Sequence, residues 1–228
     1  MTCVYQTTQN AAALLLATSN RSEVALGYAT MDGDTSGGLS PLAGIDKDFL
    51  RHWLRWLEKS IPALKLVNQQ SPTAELRPAA MTQTDEADLM PYSVLNRIEQ
   101  AAIRDRQTPS EIFYLLKQEY EEQQLITWIE RFFTLWSRNQ WKRERFAPCF
   151  HLDEQNIDPK TWCRFPILSG GYKKELEDMK ERFIVSFVGW VSFFYVVKKR
   201  NPTRMCHKTL VIQSTLLSDS FRTLKSNS

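Results

Sequence analysis

The residue types best suited to chemistry lie together in the first fifth of the chain. An apolar run at residues 14–16 stops at the polar sequence Thr-Ser-Asn of residues 18–20, and Glu23 follows. This pattern predicts a buried strand that ends in a turn and leads into a helix. Ligands of open α/β sheets bind just beyond the carboxyl ends of strands. We therefore expect Thr18 to hydrogen-bond a nucleotide and Glu23 to bind a magnesium ion or a ribose hydroxyl.

A glycine-bearing loop at residues 32–44 follows and carries Asp34. Glycines make such a loop adaptable, so it could close over a ligand. A simpler interpretation needs no ligand, because residues 18–23 could be only the cap and first turn of a helix, followed by a solvated loop. The residue types alone leave both interpretations open.

The elements that must position these residues follow from caps and periodicity. We expect a short helix after Ser19 or Asn20, and a second helix capped by Asp46. The apolar stripe of the second helix comprises Phe49, Leu50, Trp53, Leu54 and Leu57. The other predicted elements are a strand at residues 63–67, a loop at 69–84, a helix at 85–106, a helix starting at Thr108-Pro109-Ser110-Glu111, and a helix through residues 125–136.

This order of a strand, a helix, a second strand and several helices predicts an α/β fold, namely the end of a parallel sheet with a helical finish. Only two strands are predicted, so the sheet is expected to be incomplete. Residues 1–182 are expected to form this domain, and residues 183–228 are an unassigned apolar and then basic tail.

An ordered set of motifs resembles the synthetase domain of NAD synthetases. The first is the series Thr18, Asn20, Ser22, Glu23, Gly27, Tyr28, Thr30, Gly33, Asp34, Pro41, Leu42 and Lys47. It is followed by Pro-Thr-Ala-Glu-Leu at residues 72–76, an acidic turn at 85–92, and Trp141-Lys142-Arg143. The residues at positions 19–41 are most similar to those of glutamine-using bacterial enzymes. The resemblance to the family covers residues 11–171. The resemblance implies a partial Rossmann-like domain of the adenine-nucleotide α-hydrolase type with a helical C-terminal half.

The resemblance also implies roles for the matching residues. Thr18, Lys47 and Thr73 would contact ATP. Glu23 would bind magnesium or the substrate deamido-NAD, Tyr28 would lie against that substrate, and Lys142 would reach it from the far segment. No catalytic residue is implied. Met31 and Gly38 depart from the ammonia-using members, so their substrate contacts are not carried over.

The implied reaction is the ATP-dependent amidation of deamido-NAD to NAD through an acyl-adenylate, with ammonia as the second substrate. The family holds pyrophosphate in a Ser-Gly-Gly-x-Asp-Ser loop, and the Ser-Gly-Gly sequences at residues 36–38 and 169–171 lack the Asp-Ser ending. We therefore expect a fragment that lacks this loop and the glutaminase domain, and that does not catalyse the full reaction alone. The intact enzyme is expected to be a homo-oligomer. The alternative is a non-catalytic remnant that binds nucleotide or associates with an intact synthetase.

Composition argues against several other classes. A net charge of +3 is too small to indicate nucleic-acid binding. The basic and aromatic residues at 136–146 are diluted by Glu144 and accompany no nucleic-acid motif. The four cysteines form no CxxC pair, which favours free thiols in a reducing cytoplasm. The uncharged run at residues 183–197 is shorter than a usual membrane span, so a membrane-attached interaction protein is the weaker alternative.

Overall fold

Helices make up nearly all the regular structure in a computed structural model of the chain, which describes residues 13–70, 85–161 and 170–182. They are α1 (Arg21–Leu26), α2 (Lys47–Leu57), α3 (Leu64–Gln69), α4 (Asp85–Asp88), α5 (Tyr92–Glu99), α6 (Pro109–Leu116), α7 (Glu122–Arg138) and α8 (Gln140–Arg143). A π-helix, Gln100–Arg104, directly continues α5, and residues 173–182 are also helical. The helical second half expected from the sequence is confirmed. The predicted boundary after residue 182 lies at the edge of the described residues and stays a prediction.

Extended pairing is limited to two isolated parallel bridges in the described ranges. Leu16 pairs with Leu39, and Ser40 pairs with Cys149. The first pairing is held by hydrogen bonds from the Ala17 amide to the Leu39 carbonyl and from the Gly38 amide to the Leu15 carbonyl, each 2.8 Å long. The predicted strand at residues 14–16 therefore exists only as a short parallel segment. Its predicted burial is wrong, because Leu14 and Leu16 are exposed.

Helix α1 begins and ends where local sequence signals place it. The Glu23 amide donates to Asn20 Oδ1 at 3.1 Å, and the Asn20 amide donates to Glu23 Oε2 at 3.3 Å. This reciprocal capping box satisfies two backbone donors that the helix itself leaves unpaired. Gly27 ends the helix in the left-handed region, with φ 61°. The predicted short helix is confirmed, with Asn20 as its cap.

The junction of α7 and α8 holds the C-terminal end of α1. Asn139 Nδ2 donates to the Leu26 carbonyl at 2.6 Å, and Arg143 Nη1 donates to the Ala25 carbonyl at 2.6 Å. These carbonyls are among those that a helix cannot pair internally. The guanidinium of Arg143 also stacks 3.8 Å from the ring centre of Trp136. Two distant parts of the sequence are thereby fixed against each other.

Helix α2 has the predicted cap, and its apolar stripe is only partly buried. The Phe49 amide donates to Asp46 Oδ1 at 2.7 Å, which confirms Asp46 as the cap. Leu50 is buried, whereas Phe49 and Trp53 are 56% and 41% exposed. The helix turns only one side of its apolar stripe toward α5 and α3. The predicted stripe is therefore only partly buried, because periodicity finds an apolar face but not what covers it.

The second predicted strand, at residues 63–67, is wrong. This segment forms α3, and Asn68 Nδ2 ties it to α2 through the Leu54 carbonyl at 3.2 Å and Glu58 Oε2 at 2.8 Å. A short apolar run is compatible with either a strand or a helix. The tertiary contact to α2 decides for the helix here. The predicted loop at residues 69–84 lies largely outside the described residues.

The helix predicted over residues 85–106 is divided. Pro91 separates α4 from α5, because proline lacks the amide that would continue a helix. The restart at Thr108 is confirmed: its amide donates to Glu111 Oε2 at 2.7 Å, and Pro109 is the first helical residue. Helix α7 is also as predicted. The apolar sides of α5, α6 and α7 meet in a core whose fully buried members include Leu95, Ile98, Ile112, Leu116, Leu125, Ile129 and Phe132.

A buried ion network beneath this core joins α1 to three other segments. Arg21 is only 1% exposed, and it donates to Asp46 Oδ2 at 3.1 Å, to Asp153 Oδ2 at 2.7 Å and to the Gly44 carbonyl at 3.0 Å. Glu99, at the end of α5, lies with Oε2 3.9 Å from Arg21 Nε. Burial raises the pKa of Glu99 to about 8, although the positive charge of Arg21 opposes the rise. Glu99 is therefore held in its neutral form at pH 7.

This raised pKa makes the stability of the fold depend on pH. The ordinary pKa of a glutamate is 4.5 here and the folded value is about 8, so the unfolded chain releases this proton first. The contribution of Glu99 to stability is complete below pH 4.5 and is lost as the pH rises to about 8. We expect Glu99→Gln to raise the melting temperature relative to wild type increasingly from pH 5 to pH 8. Thermal unfolding followed by circular dichroism at several pH values would measure this.

Glu111→Gln provides the contrasting control. Hydrogen bonds from the Thr108 backbone and side chain lower the pKa of Glu111, so its contribution is lost as the pH falls. Its difference from wild type should therefore have the opposite sign, stay nearly constant from pH 5 to pH 8, and shrink only as the pH falls below about 4.5. An unchanged pH profile in Glu99→Gln would contradict the burial of an acidic proton in this network.

Replacement of Gly27 should weaken the fold, because a Cβ there would lie 2.4 Å from Asn139 Cβ and the backbone is left-handed. The backbone conformation alone costs about 1–2 kcal/mol for a residue with a side chain. We expect Gly27→Ala to lower the free energy of unfolding by at least that amount in urea denaturation. Gly170→Ala is the matched control, since its Cβ would meet nothing within 4 Å. Equal stability of the two variants would contradict the clamp on α1.

Candidate nucleotide and substrate site

The N-terminal ends of α1 and α2 meet, and this contact brings the predicted site residues together. The Arg21 amide donates to the Ile45 carbonyl at 2.8 Å, and the Lys47 amide donates to Ser22 Oγ at 3.3 Å. The first bond joins the first residue of α1 to the residue before the α2 cap, and the second joins the first turns of the two helices. Consequently, side chains that are 24 residues apart in the sequence share one small region.

Glu23 and Lys47 form the centre of this region. Lys47 Nζ donates to Glu23 Oε1 at 2.8 Å, and both side chains are partly exposed. A lysine ammonium is a compact, flexible charge suited to phosphate oxygens. The carboxylate beside it pairs with this ammonium, and the Lys47 and Glu23 side chains are only 20% and 21% exposed. The pairing of two residues predicted for different roles is the strongest geometric feature of the site.

Thr18 lies at the rim of the same region. It is exposed and stands in the turn between the short parallel segment and α1. Within the described part of the chain, no hydrogen bond joins it to Glu23 or Lys47. The side chain of Thr18 is therefore open to solvent in the described part of the chain.

Tyr28 lies just beyond the C-terminal end of α1. Its hydroxyl donates to Asp88 Oδ2 at 3.2 Å, which connects it to α4. Tyr92, in the first turn of α5, has its ring centre 6.0 Å from Lys47 Nζ and 5.7 Å from the Arg51 guanidinium. Tyr92 is only 3% exposed, so its ring lies beside these two cations but presents almost no surface to a ligand.

Asp88, Tyr92 and Arg51 were not predicted as site residues. The acidic turn at residues 85–92 resembles a family motif, and this is the only sequence signal for Asp88 and Tyr92. Nothing in the spacing of Arg51 distinguishes it from an ordinary surface residue of α2. The position of Arg51 beside Tyr92 depends on the packing of α5 against α2, which the sequence does not show.

Lys142 is not in contact with the Glu23–Lys47 pair. Its ammonium donates to the Gly27 and Ala29 carbonyls, each at 2.9 Å, and it lies 5.9 Å from the ring centre of Trp141. Burial lowers the pKa of Lys142, and the charge of Arg138 adds to this effect. The structure therefore gives Lys142 a definite task, which is to hold the segment that carries Tyr28.

Two other predicted features cannot be placed fully. Thr73 lies outside the described residues, as does the run at residues 183–197.

Asp34 is exposed, and its Oδ2 accepts from the Thr30 amide at 2.6 Å, so it braces its own loop. No helix in the described ranges is both long and apolar enough to cross a membrane.

The described residues offer few donors for a metal ion. In the ranges that the structure describes, no group of three or more histidine, cysteine, aspartate or glutamate side chains could hold an ion. Glu23 can offer one carboxylate, and both of its oxygens already accept a hydrogen bond. A magnesium ion commonly uses one or two carboxylates together with substrate phosphates. Glu23 fits that shared arrangement and does not fit a site made by the protein alone.

Comparison with known proteins places these residues in a family. A sequence model of the NAD synthase family matches residues 1–145 of the 228-residue chain. The glutamine-dependent NAD(+) synthetase of Synechocystis sp. is 34% identical over 138 residues, which cover 59% of this chain and 23% of that protein. The corresponding protein of Xylella fastidiosa (strain Temecula1) is 34% identical over 163 residues, covering 70% of this chain and 28% of that protein.

A solved structure agrees with the sequence relatives. The crystal structure of a glutamine-dependent NAD(+) synthetase from Cytophaga hutchinsonii is 49% identical and superposes with a TM-score of 0.67, covering 78% of this chain and 28% of that one. The chain thus spans about a quarter of the length of these relatives. The matched region includes the capped α1, the Glu23–Lys47 pair and Lys142, and the resemblance seen in the ordered motifs is confirmed. The chain belongs to the NAD synthase family.

Proposed function

We propose that this chain forms one wall of the ATP and deamido-NAD site of a glutamine-dependent NAD synthetase. The reaction is the ATP-dependent amidation of deamido-NAD to NAD through an acyl-adenylate, with ammonia as the nitrogen donor. The observation that carries the proposal is the Glu23–Lys47 pair, 2.8 Å long, at the meeting point of α1 and α2. It brings an anion-binding cation and an acid to the place where the family motifs predict them.

Lys47 is proposed to turn from Glu23 to the phosphates of ATP. A phosphate group carries more negative charge than one carboxylate and can accept several hydrogen bonds. Thr18, and Thr73 beyond the described residues, are proposed to complete the ATP contacts. This assignment is supported by the exposure of the Thr18 hydroxyl beside the same helix end.

Deamido-NAD is proposed to lie on the Glu23 and Tyr28 side. Glu23, once released by Lys47, can accept a hydrogen bond from a ribose hydroxyl or help to hold a magnesium ion that enters with ATP. Tyr28 offers a ring for a planar base and is directed by Asp88. Lys142 is proposed to act here chiefly by holding the Tyr28 segment.

Several broader features belong to the same proposal. The fold is proposed to be part of a Rossmann-like domain of the adenine-nucleotide α-hydrolase type, supported by the parallel bridges next to α1. A cytoplasmic location and a homo-oligomeric intact enzyme are proposed with it. Nucleic acid is not among the proposed ligands.

A second candidate is a chain that binds nucleotide without turnover or associates with an intact synthetase. The exposure of Leu14 and Leu16 favours this alternative, because their parallel segment presents apolar side chains that another polypeptide could cover. Nucleotide binding is common to both candidates, so it is the first property to measure.

Calorimetry with Mg·ATP tests the role of Lys47. We expect Lys47→Met to weaken ATP binding roughly tenfold or more, since a hydrogen bond to a charged group contributes about 1.5–3 kcal/mol. Lys59→Met is the matched control, because Lys59 is exposed just beyond the end of α2. Equal ATP affinity of Lys47→Met and wild type would rule out the proposed phosphate contact.

Titration with deamido-NAD separates the two sides of the site. Lys142→Met removes both hydrogen bonds to the Tyr28 segment, so we expect deamido-NAD to bind several-fold more weakly while ATP binding stays within about twofold. Lys174→Met, on the exposed side of residues 173–182, is the control. If Lys142→Met weakened ATP and deamido-NAD equally, Lys142 would act on the fold as a whole.

A further inference from the structure

A buried hydroxyl connects Glu99 to the helix that carries Lys47. Ser22 Oγ donates to Glu99 Oε2 at 3.4 Å and accepts from the Lys47 amide at 3.3 Å. Ser22 and Glu99 are both buried. Two hydrogen bonds therefore lead from the Glu99 carboxyl to the first residue of α2, whose side chain pairs with Glu23.

A second connection passes through Arg21 and the cap of α2. Asp46 accepts from Arg21 with one oxygen and caps α2 with the other, at 3.1 Å and 2.7 Å. Glu99 Oε2 stands 3.9 Å from Arg21 Nε, beyond hydrogen-bonding distance. Arg21 Nε and Glu99 Oε1 are buried without a hydrogen-bond partner in the described part of the chain. The guanidinium therefore hydrogen-bonds the two aspartates. Its Nε donor faces Glu99 without a hydrogen-bond partner among the described residues.

The charges around Glu99 favour its neutral form. Four groups face Glu99. They are Arg21 and Ser22 from α1, Asp46 at the cap of α2, and Asp153 in the segment that follows α8. One guanidinium already pairs with two aspartates. An ionised Glu99 would add a further negative charge without water to solvate it. It would then compete with Asp46 for Arg21 and repel the Asp46 carboxyl.

We propose that Glu99 is a positioning residue of the ATP site, whose neutral carboxyl keeps the Asp46 cap and the Ser22 hydroxyl in place and thereby fixes Lys47. Ionisation of Glu99 draws Arg21 away from Asp46 and disturbs the first turn of α2. The Glu23–Lys47 geometry is then lost, although neither residue touches Glu99. This inference rests on the proposed function only in its consequence for ATP, because the coupling from Glu99 to Lys47 exists without a ligand.

The pH at which this change occurs follows from burial. Because burial raises the pKa of Glu99 to about 8, the neutral form predominates at pH 6.5 and the ionised form at pH 9. A purely structural Glu99 would affect stability alone. If Glu99 positions Lys47, its ionisation also changes the environment of Lys47. The pH midpoint of that change then equals the pKa of Glu99.

Nuclear magnetic resonance on the full chain tests the coupling directly. We expect the backbone amide of Lys47 to shift with a midpoint near pH 8 in wild type and to show no such inflection in Glu99→Gln. Ser22→Ala, which removes the bridging hydroxyl, should reduce the inflection and serves as the second variant if Glu99→Gln does not fold. The amide of Leu116, buried in α6, is the internal control. A flat Lys47 titration in wild type, or an inflection that persists in Glu99→Gln, would overturn the proposal.

Calorimetry with Mg·ATP at pH 6.5 and pH 9 measures the consequence for binding. Wild type should bind at least about fivefold more weakly at pH 9, the lower end of typical coupling between sites. Glu99→Gln should show only the pH dependence of ATP itself. If wild type binds ATP and the two proteins share one pH profile, the positioning role is wrong. If neither binds ATP at any pH, the proposed function fails, while the Lys47 resonance still decides the coupling.

Discussion

One guanidinium, that of Arg21, determines how the site is assembled. It lies almost fully buried and joins the start of α1 to the Gly44 carbonyl, the Asp46 cap and Asp153. Removal of one partner from such a buried pair typically costs about 3–5 kcal/mol, because the remaining charge has no water. The relative position of α1 and α2, and hence of Glu23 and Lys47, depends on this single side chain keeping its partners.

The C-terminal end of α1 is also fixed by hydrogen bonds from side chains of another segment. Arg143 and Asn139 donate to the carbonyls of Ala25 and Leu26 in the last turn of α1, and Lys142 donates to those of Gly27 and Ala29 just beyond it. Both ends of α1 are thus held by side chains from other segments. A helix of six residues would not be stable alone. It can present Glu23 in one orientation because the surrounding protein determines its geometry.

Local chemistry explains what could be predicted from the sequence. The capping boxes at Asn20 and Thr108 and the cap at Asp46 involve residues at most three apart, so their signals are complete in the sequence. The exposed aromatic side of α2 and the helical state of α3 depend on which segments pack together, and periodicity does not contain that information. The proximity of Lys142 to the dinucleotide stays a prediction, and its contacts with the Tyr28 segment depend on the same long-range packing, so the sequence does not show them.

The sequence distances across these contacts have a consequence for synthesis on the ribosome. Arg21 meets Asp153 across 132 residues, and Arg143 meets the Ala25 carbonyl across 118. When only the first half of the chain has emerged, α1 has neither its late counter-charge nor its C-terminal donors. Contacts of such long range form slowly. Glu23 and Lys47 precede residue 153 in the sequence, yet their surroundings can become rigid only after the segment around residue 153 leaves the exit tunnel.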